Sequence, residues 1–188
     1  MVLATAADKH ICVEILTESF YDNLSVAYLI PESKNKRRKV AALMDYSFEQ
    51  CLRFGEVWLN DDKTACALAM LPEKKHSTLL LDLMLIFKAL GLANLFKAMR
   101  REKLIHAKHP NGNVYYLWFI GVAIKNQAKG CGTLLLRHLI DRAKTLNKTV
   151  LLETSTRRNL GWYEKNGFRE YDKLDLGYEL YFFEGINN

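Results

Sequence analysis

The chain has 188 residues, 49% of them hydrophobic, and a formal net charge of +6. That length buries one substantial core and is the usual size of one domain, so a single domain over 1–188 is expected. The basic balance favours an anionic partner, which leaves nucleic acid, a membrane surface or a phosphorylated cofactor open.

The first residues lack the cationic, apolar and small-residue order of a secretory signal, and Asp8, Glu14 and Glu18 argue against a transit peptide. A cytoplasmic location is expected. Cys12, Cys51, Cys66 and Cys131 form no C-x-x-C pair and have no histidines at zinc-ligand spacing. Free thiols, three of them in the core, and no metal are expected.

Over 8–28 the apolar residues Ile11, Ile15, Phe20, Leu24 and Tyr28 recur at helical spacing until Pro31, which predicts one helix or a helix pair. The basic run 34–39 reads as a solvated turn before a second helix carrying Val40, Leu43, Met44 and Phe48. Strands are predicted over 56–59 and 64–71, joined as a hairpin by Asn60, Asp61 and Asp62.

The segment 79–96 is very apolar, but Asp82, Lys88 and Asn94 interrupt it, so it reads as an amphipathic or buried helix and not a membrane span. A polar connection with Arg100, Arg101, Lys103, His106, Lys108 and His109 follows, ending in the turn signal at 110–113. The run 114–124 is rich in Val, Ile, Tyr, Phe and Trp and predicts a buried central strand.

A helical stripe at Leu135, Leu136, Leu139, Ile140, Ala143 and Leu146 precedes a strand over 150–153. Strand, helix and strand in this order predict a right-handed parallel βαβ unit with its chemistry at the strands' carboxyl ends. A short helix over 159–165, capped at Asn166 and Gly167, and a last strand over 178–183 complete the chain.

The turn between central strand and helix reads Gln127, Ala128, Lys129, Gly130, Cys131, Gly132. Successive N–H groups at a helix N-terminus bind anions, and glycine lets phosphate oxygens approach the main chain. A Rossmann fingerprint would need a glycine where Leu135 stands, and a P-loop would need a G-K-[ST] ending that is absent.

Together Ile120, Gly121 and Val122, the turn 127–132, and the later Glu153-Thr154-Ser155, Asn159 and 163–168 segment resemble the two conserved motifs of the GCN5-related N-acetyltransferase (GNAT) superfamily. The likeness is greatest to the branch of puromycin N-acetyltransferase. Ile124 stands where many relatives carry proline, and Val114 stands where that branch often has a histidine before Tyr115-Tyr116-Leu117.

The resemblance implies an α/β fold with a mixed central sheet, antiparallel N-terminal strands and a splayed parallel strand pair flanked by helices. It implies acetyl-CoA as cosubstrate, its pantetheine amides pairing with Ile120, Gly121 and Val122 and its pyrophosphate lying on Gln127, Ala128, Lys129, Gly130, Cys131, Gly132 and Thr133. A backbone N–H near Gly121 or Val122 would face the oxyanion. Tyr163 takes the position of the superfamily's proton donor to the departing thiolate, the alternative being simple packing. Asn159 is either a cofactor ligand or a helix N-cap.

Glu153, at the strand end, is the candidate for deprotonating the attacking ammonium, directly or through water, or else a partner for a neighbouring loop. The leading function is direct acetyl transfer to an amine of a small molecule or peptide, without an acyl-enzyme. Against it stand a non-catalytic acyl-CoA-responsive module and, with no supporting motif, a nucleic-acid-binding protein. The acceptor and the oligomeric state carry no sequence signal.

Overall fold

The structure is a computed structural model that describes residues 1–74, 82–83 and 85–186. The predicted first helix is a pair, α1 (Lys9–Phe20) and α2 (Leu24–Leu29). Asn23 separates them because its carboxamide oxygen accepts the N–H groups of Ser25 and Val26 at 2.9 and 3.2 Å, a side-chain N-cap. Helix α3 (Lys36–Phe54) buries Val40, Leu43, Met44, Phe48 and Cys51 along one stripe. Each such side chain contributes about 1.5–3 kcal/mol when fully buried.

The basic run enters this helix instead of staying in a turn. Lys36 bonds Glu32 at 2.8 Å and lies 4.4 Å above the Tyr21 ring, so it is held by protein partners.

Strands β2 (Gly55–Leu59) and β3 (Ala65–Met70) form the predicted hairpin. Asn60 closes it by accepting from Thr64 N and Ala65 N at 2.8 and 2.7 Å. Their period of two sends Cys66, Leu68 and Met70 to the face under α1 and α3, and Ala65, Ala67 and Ala69 to the opposite face.

The segment 79–96 is not one helix. Residues 79–81 and 84 lie outside the described residues; beyond them a π-turn at Ile86–Leu90 ends where Gly91, at φ +72°, bonds back to Ile86 O. Glycine reaches that left-handed region without a Cβ clash. Helix α4 (Leu92–His106) then absorbs Arg100, Arg101, Lys103 and His106, which the sequence places in a connection. Lys and Arg are good helix formers, and Phe96 at 79% and Met99 at 60% exposure show that the apolar residues here do not all face the core.

Strand β4 (Val114–Val122) runs antiparallel to β3 and parallel to β5 (Thr149–Thr154), with α5 (Cys131–Thr145) between them in sequence. Helix α6 (Leu160–Lys165) ends before Gly167, at φ +84°, and leads into β6 (Phe168–Asp175) and β7 (Glu179–Gly185). With β1 (Val2–Leu3), the described residues give a seven-stranded mixed sheet in the order β1-β2-β3-β4-β5-β7-β6. Helices α1 and α3 cover one face; α5 and α6 cover the other.

Two strands lie where the sequence reading places none. Strand β1 is two residues long, and β6 is an outer strand of mostly charged residues whose register shifts between Glu170 and Asp172, which breaks its alternation. The thiols of Cys12, Cys51 and Cys66 are buried, and that of Cys131 is partly exposed; none of the four forms a disulfide among the described residues. No helix of the described residues is long and apolar enough to cross a membrane.

Candidate functional site

Strands β4 and β5 pair over only three residues, Val114–Tyr116 against Thr149–Leu151. Beyond this β5 continues to pair with β7, and β4 with β3, so the sheet opens between them. A register shift at Leu68/Ala69 leaves Trp118 unpaired on β4, a bulge that sends Trp118 and Phe119 to the same side, against the α1/α3 cluster.

Two spaces meet in this gap. The outer one is a cleft of about 460 Å³ and the inner one a cavity of about 210 Å³. Ile120, Asn159 and Tyr163 line both.

The outer cleft is walled by the turn before α5. Ala128 at φ +59° and Gly130 at φ +84° put two left-handed residues into it, a backbone shape that gathers N–H groups toward an anion. A Cβ on Gly130 would meet nothing within 4 Å, so its requirement is conformational. Gly121 is different: a Cβ there would lie 2.9 Å from Leu16 Cδ2 and 3.1 Å from Ser19 Oγ, so glycine lets α1 approach β4. Ser19 Oγ and Gln127 Nε2 both donate to Val122 O, each at 3.1 Å, and fix the strand end to the helix and the turn.

Among the residues singled out in sequence, Ile120, Gly121, Val122, Gln127, Ala128, Gly130, Cys131, Gly132, Thr133, Asn159 and Tyr163 all line this cleft. Lys129 is exposed beside it and is not part of its wall. Asn159 occupies the N-cap position of α6 but makes no capping hydrogen bond.

Tyr163 is 5% exposed and packs on Phe168 and Phe183. Its hydroxyl makes no hydrogen bond among the described residues. Burial, and secondarily the charge of Glu153, push its pKa well above the ordinary phenol value, so it stays protonated at neutral pH.

Glu153 belongs to the inner cavity, not the cleft. Its Oε2 accepts the Tyr116 hydroxyl at 2.6 Å and its Oε1 lies 2.5 Å from His109 Nε2. With the carboxylate ionised, Nε2–H is the donor and each oxygen keeps a lone pair. The loop contact foreseen as the alternative for Glu153 is therefore present. Burial, then the charge of Glu153, raise the Tyr116 phenol, which keeps it a donor.

Sequence reading misses His109, Arg158 and Arg101. His109 sits on the loop after α4, and only its place in a polar stretch before a strand marks it. Arg158 lines the outer cleft, while its neighbour Arg157 is paired with Glu179. Arg101, in the wall of the cavity, donates to Ser25 Oγ at 2.6 Å, Glu102 Oε1 at 2.7 Å and Tyr178 Oη at 3.3 Å.

Comparison with known proteins bears on this arrangement. The family model of the acetyltransferase (GNAT) family matches residues 85–168, which carry β4, the turn, α5, β5 and α6. A solved structure described as histone acetyltransferase HPA2 and related acetyltransferase, from Corynebacterium glutamicum, is 21% identical, with 100% of this chain and 96% of that one covered and a TM-score of 0.73. The C-terminal condensation domain of Ebony, solved with beta-alanyl-dopamine, is 10% identical over 97% of this chain and 96% of that one, with a TM-score of 0.72. An N-acetyltransferase from Staphylococcus aureus is 15% identical over 98% and 100%, with a TM-score of 0.60.

At these identities the likeness establishes the fold, a mixed sheet opened between two parallel strands. The family match spans 85–168, less than half of the chain, and makes this region similar to GNAT acetyltransferases.

Proposed function

We propose that the chain transfers an acetyl group from acetyl-CoA to a primary amine by direct attack. The observation that carries this reading is the junction of the outer cleft with the inner cavity at Ile120, Asn159 and Tyr163. The cleft suits an extended phosphorylated thioester and the cavity suits its acceptor.

The pyrophosphate lies on the N–H groups from Ala128 to Thr133, where the α5 dipole adds to them. Arg158 supplies the nearby positive charge. The pantetheine arm runs along Ile120, Gly121 and Val122 in the opened sheet, with a backbone N–H there facing the oxyanion.

The amine nitrogen forms a bond to the thioester carbonyl carbon, and the carbon–sulfur bond then breaks. The bound ammonium gives up one proton to become the attacking amine and a second as the amide forms; one proton reaches the sulfur and the other goes to solvent, so the transfer balances. Glu153 takes the nitrogen's proton, directly or through a water, and His109, 14% exposed behind it, holds the carboxylate in place through its Nε2–H. Tyr163 donates a hydrogen bond to the departing thiolate. Its raised pKa makes it a lasting donor and a weak acid, so stabilising the sulfur anion is its main contribution.

The resemblance to the puromycin N-acetyltransferase branch rests on the sequence motifs and adds no acceptor. The test is calorimetric titration of CoA together with thiol release from acetyl-CoA across a set of amines. Tight CoA binding with thiol release for at least one amine is expected. CoA binding with no release for any amine would leave a binding module, and no CoA binding would remove the reading altogether.

A further inference from the structure

We infer that the acceptor is an arylalkylamine: one aromatic ring on a short aliphatic arm that ends in a primary amine. This rests on the acetyltransferase reading above and assigns the class of molecule that fills the inner cavity.

Size sets the first limit. A cavity of about 150 Å³ lined by aliphatic and aromatic side chains holds a benzene molecule. The inner cavity, at about 210 Å³, has room for one six-membered ring and a short arm.

The wall sets the second. The β4 bulge turns Trp118 and Phe119 to this side, where Trp118 meets Tyr46 edge-on at 6.3 Å and Phe119 meets Phe20 edge-on at 5.0 Å. The polar tips of these rings are already tied: Tyr46 donates to Asp82 at 2.7 Å and Tyr116 to Glu153 at 2.6 Å. Beside the polar side chains of Asn23, Thr156 and Asn159, this part of the wall offers ring faces and edges, and aromatic pairs favour such offset and edge contacts.

Charge sets the third. Two carboxylates lie in the wall, and Glu102 is offset by Arg101 at 2.7 Å. Glu153, hydrogen-bonded by His109 and Tyr116, lies near Tyr163, where the amine must meet the thioester. One carboxylate beside aromatic rings suits a single ammonium on an apolar body. A polyamine would bury further ammonium groups without partners. An amino acid would bring a carboxylate to Arg101, whose three nitrogens already donate to Ser25, Glu102 and Tyr178. A tetrapeptide exceeds the space of one ring and a short arm that the cavity holds.

The experiment compares kcat/KM for phenethylamine, spermidine, phenylalanine and a tetrapeptide with a free N-terminus, using acetyl-CoA and thiol release. Phenethylamine should exceed each of the others by at least about tenfold, the usual scale of discrimination by an apolar pocket. Trp118→Ala should lower its kcat/KM about 10–100-fold with CoA affinity unchanged, and Trp118→Phe, which keeps a ring, should recover part of the loss. CoA binding reports that each variant is folded.

Preference for the polyamine, the amino acid or the peptide would overturn the class and keep the transferase. Should no amine turn over, titration of phenethylamine into the CoA-loaded protein decides. Saturable binding lost in Trp118→Ala supports the class while the transferase reading fails, and absence of binding overturns the class.

Discussion

Glu153 Oε1 lies 2.5 Å from His109 Nε2, a contact between β5, the second strand of the opened pair, and the loop that follows α4. It joins two segments separated by 44 positions in the chain. Tyr116 holds the other carboxylate oxygen, so Glu153 is aimed from both sides. His109 itself is packed by Tyr116 and Phe182, which fixes the ring that does the aiming.

His109→Ala should therefore lower kcat about ten- to a hundredfold, toward the lower part of the range for acid–base groups, with little change in acetyl-CoA affinity. His109→Gln keeps a donor toward Glu153 and should recover part of the rate. Wild-type kcat in His109→Ala would show that it does not position Glu153 for the reaction.

The helices, the hairpin and the βαβ unit are legible in the sequence because their apolar residues repeat at 3.6 or 2 with clear stops at Pro31, Asn60 and Gly167. The turn before α5 is legible because its glycines are consecutive with the helix they open. Glu153 and Tyr163 are found through motif spacing, whereas His109 and Arg101 act only through partners far away in sequence. The breaks that the reading misses share a cause: Gly91 inside an apolar run and the shift in β6 interrupt periodicity without changing composition.

The turn before α5 gives a test that separates shape from charge. Among the described residues nothing lies within 4 Å of a Cβ built on Gly130, and on Gly132 the nearest atom is Val122 Cγ2 at 3.4 Å. Bulky residues at both positions should raise the Kd for CoA by tenfold or more while thermal unfolding shows a folded protein, the left-handed strain at Gly130 costing roughly 1–2 kcal/mol. Unchanged affinity in a folded double variant would place the pyrophosphate elsewhere.

Arg158 lines the same cleft from the opposite side and makes no ion pair among the described residues. Arg158→Ala should weaken CoA about tenfold at low ionic strength. The deficit should shrink as salt is added, because an exposed cation is screened over roughly 8–10 Å at physiological ionic strength. A deficit that does not change with salt would assign Arg158 a packing role instead.

Glu56 carries the pH dependence of the far side of the sheet. Burial alone would raise its carboxyl, but hydrogen bonds from Arg142, Trp58 and Tyr115 hold it below the ordinary 4.5. A depressed carboxyl stabilises the fold fully above its unfolded value and loses that contribution as pH falls through the folded one. Glu56→Gln should cost about 1 kcal/mol at pH 7 after solvent screening, and the gap from wild type should close progressively below about pH 4.5. A gap that is constant from pH 7 to pH 3 would show that the carboxyl's charge contributes nothing there.

Tyr163 offers the sharpest test of the chemistry, because it touches both spaces and its hydroxyl has no protein partner among the described residues. Tyr163→Phe keeps the contacts with Phe168 and Phe183 and removes a single oxygen. Stability should change little, since that hydroxyl satisfies no other group. A donor to the leaving sulfur acts mainly as the carbon–sulfur bond breaks, so the loss should fall on kcat, about ten- to a thousandfold. CoA affinity should fall less, because free CoA bears a thiol that needs no anion-stabilising donor. No new limb should enter the pH–rate profile near neutrality, because burial keeps the phenol protonated across that range. Single-turnover rates and CoA titrations on both proteins, with the same amine, separate these effects. Equal single-turnover rates would leave water or another group to stabilise the thiolate.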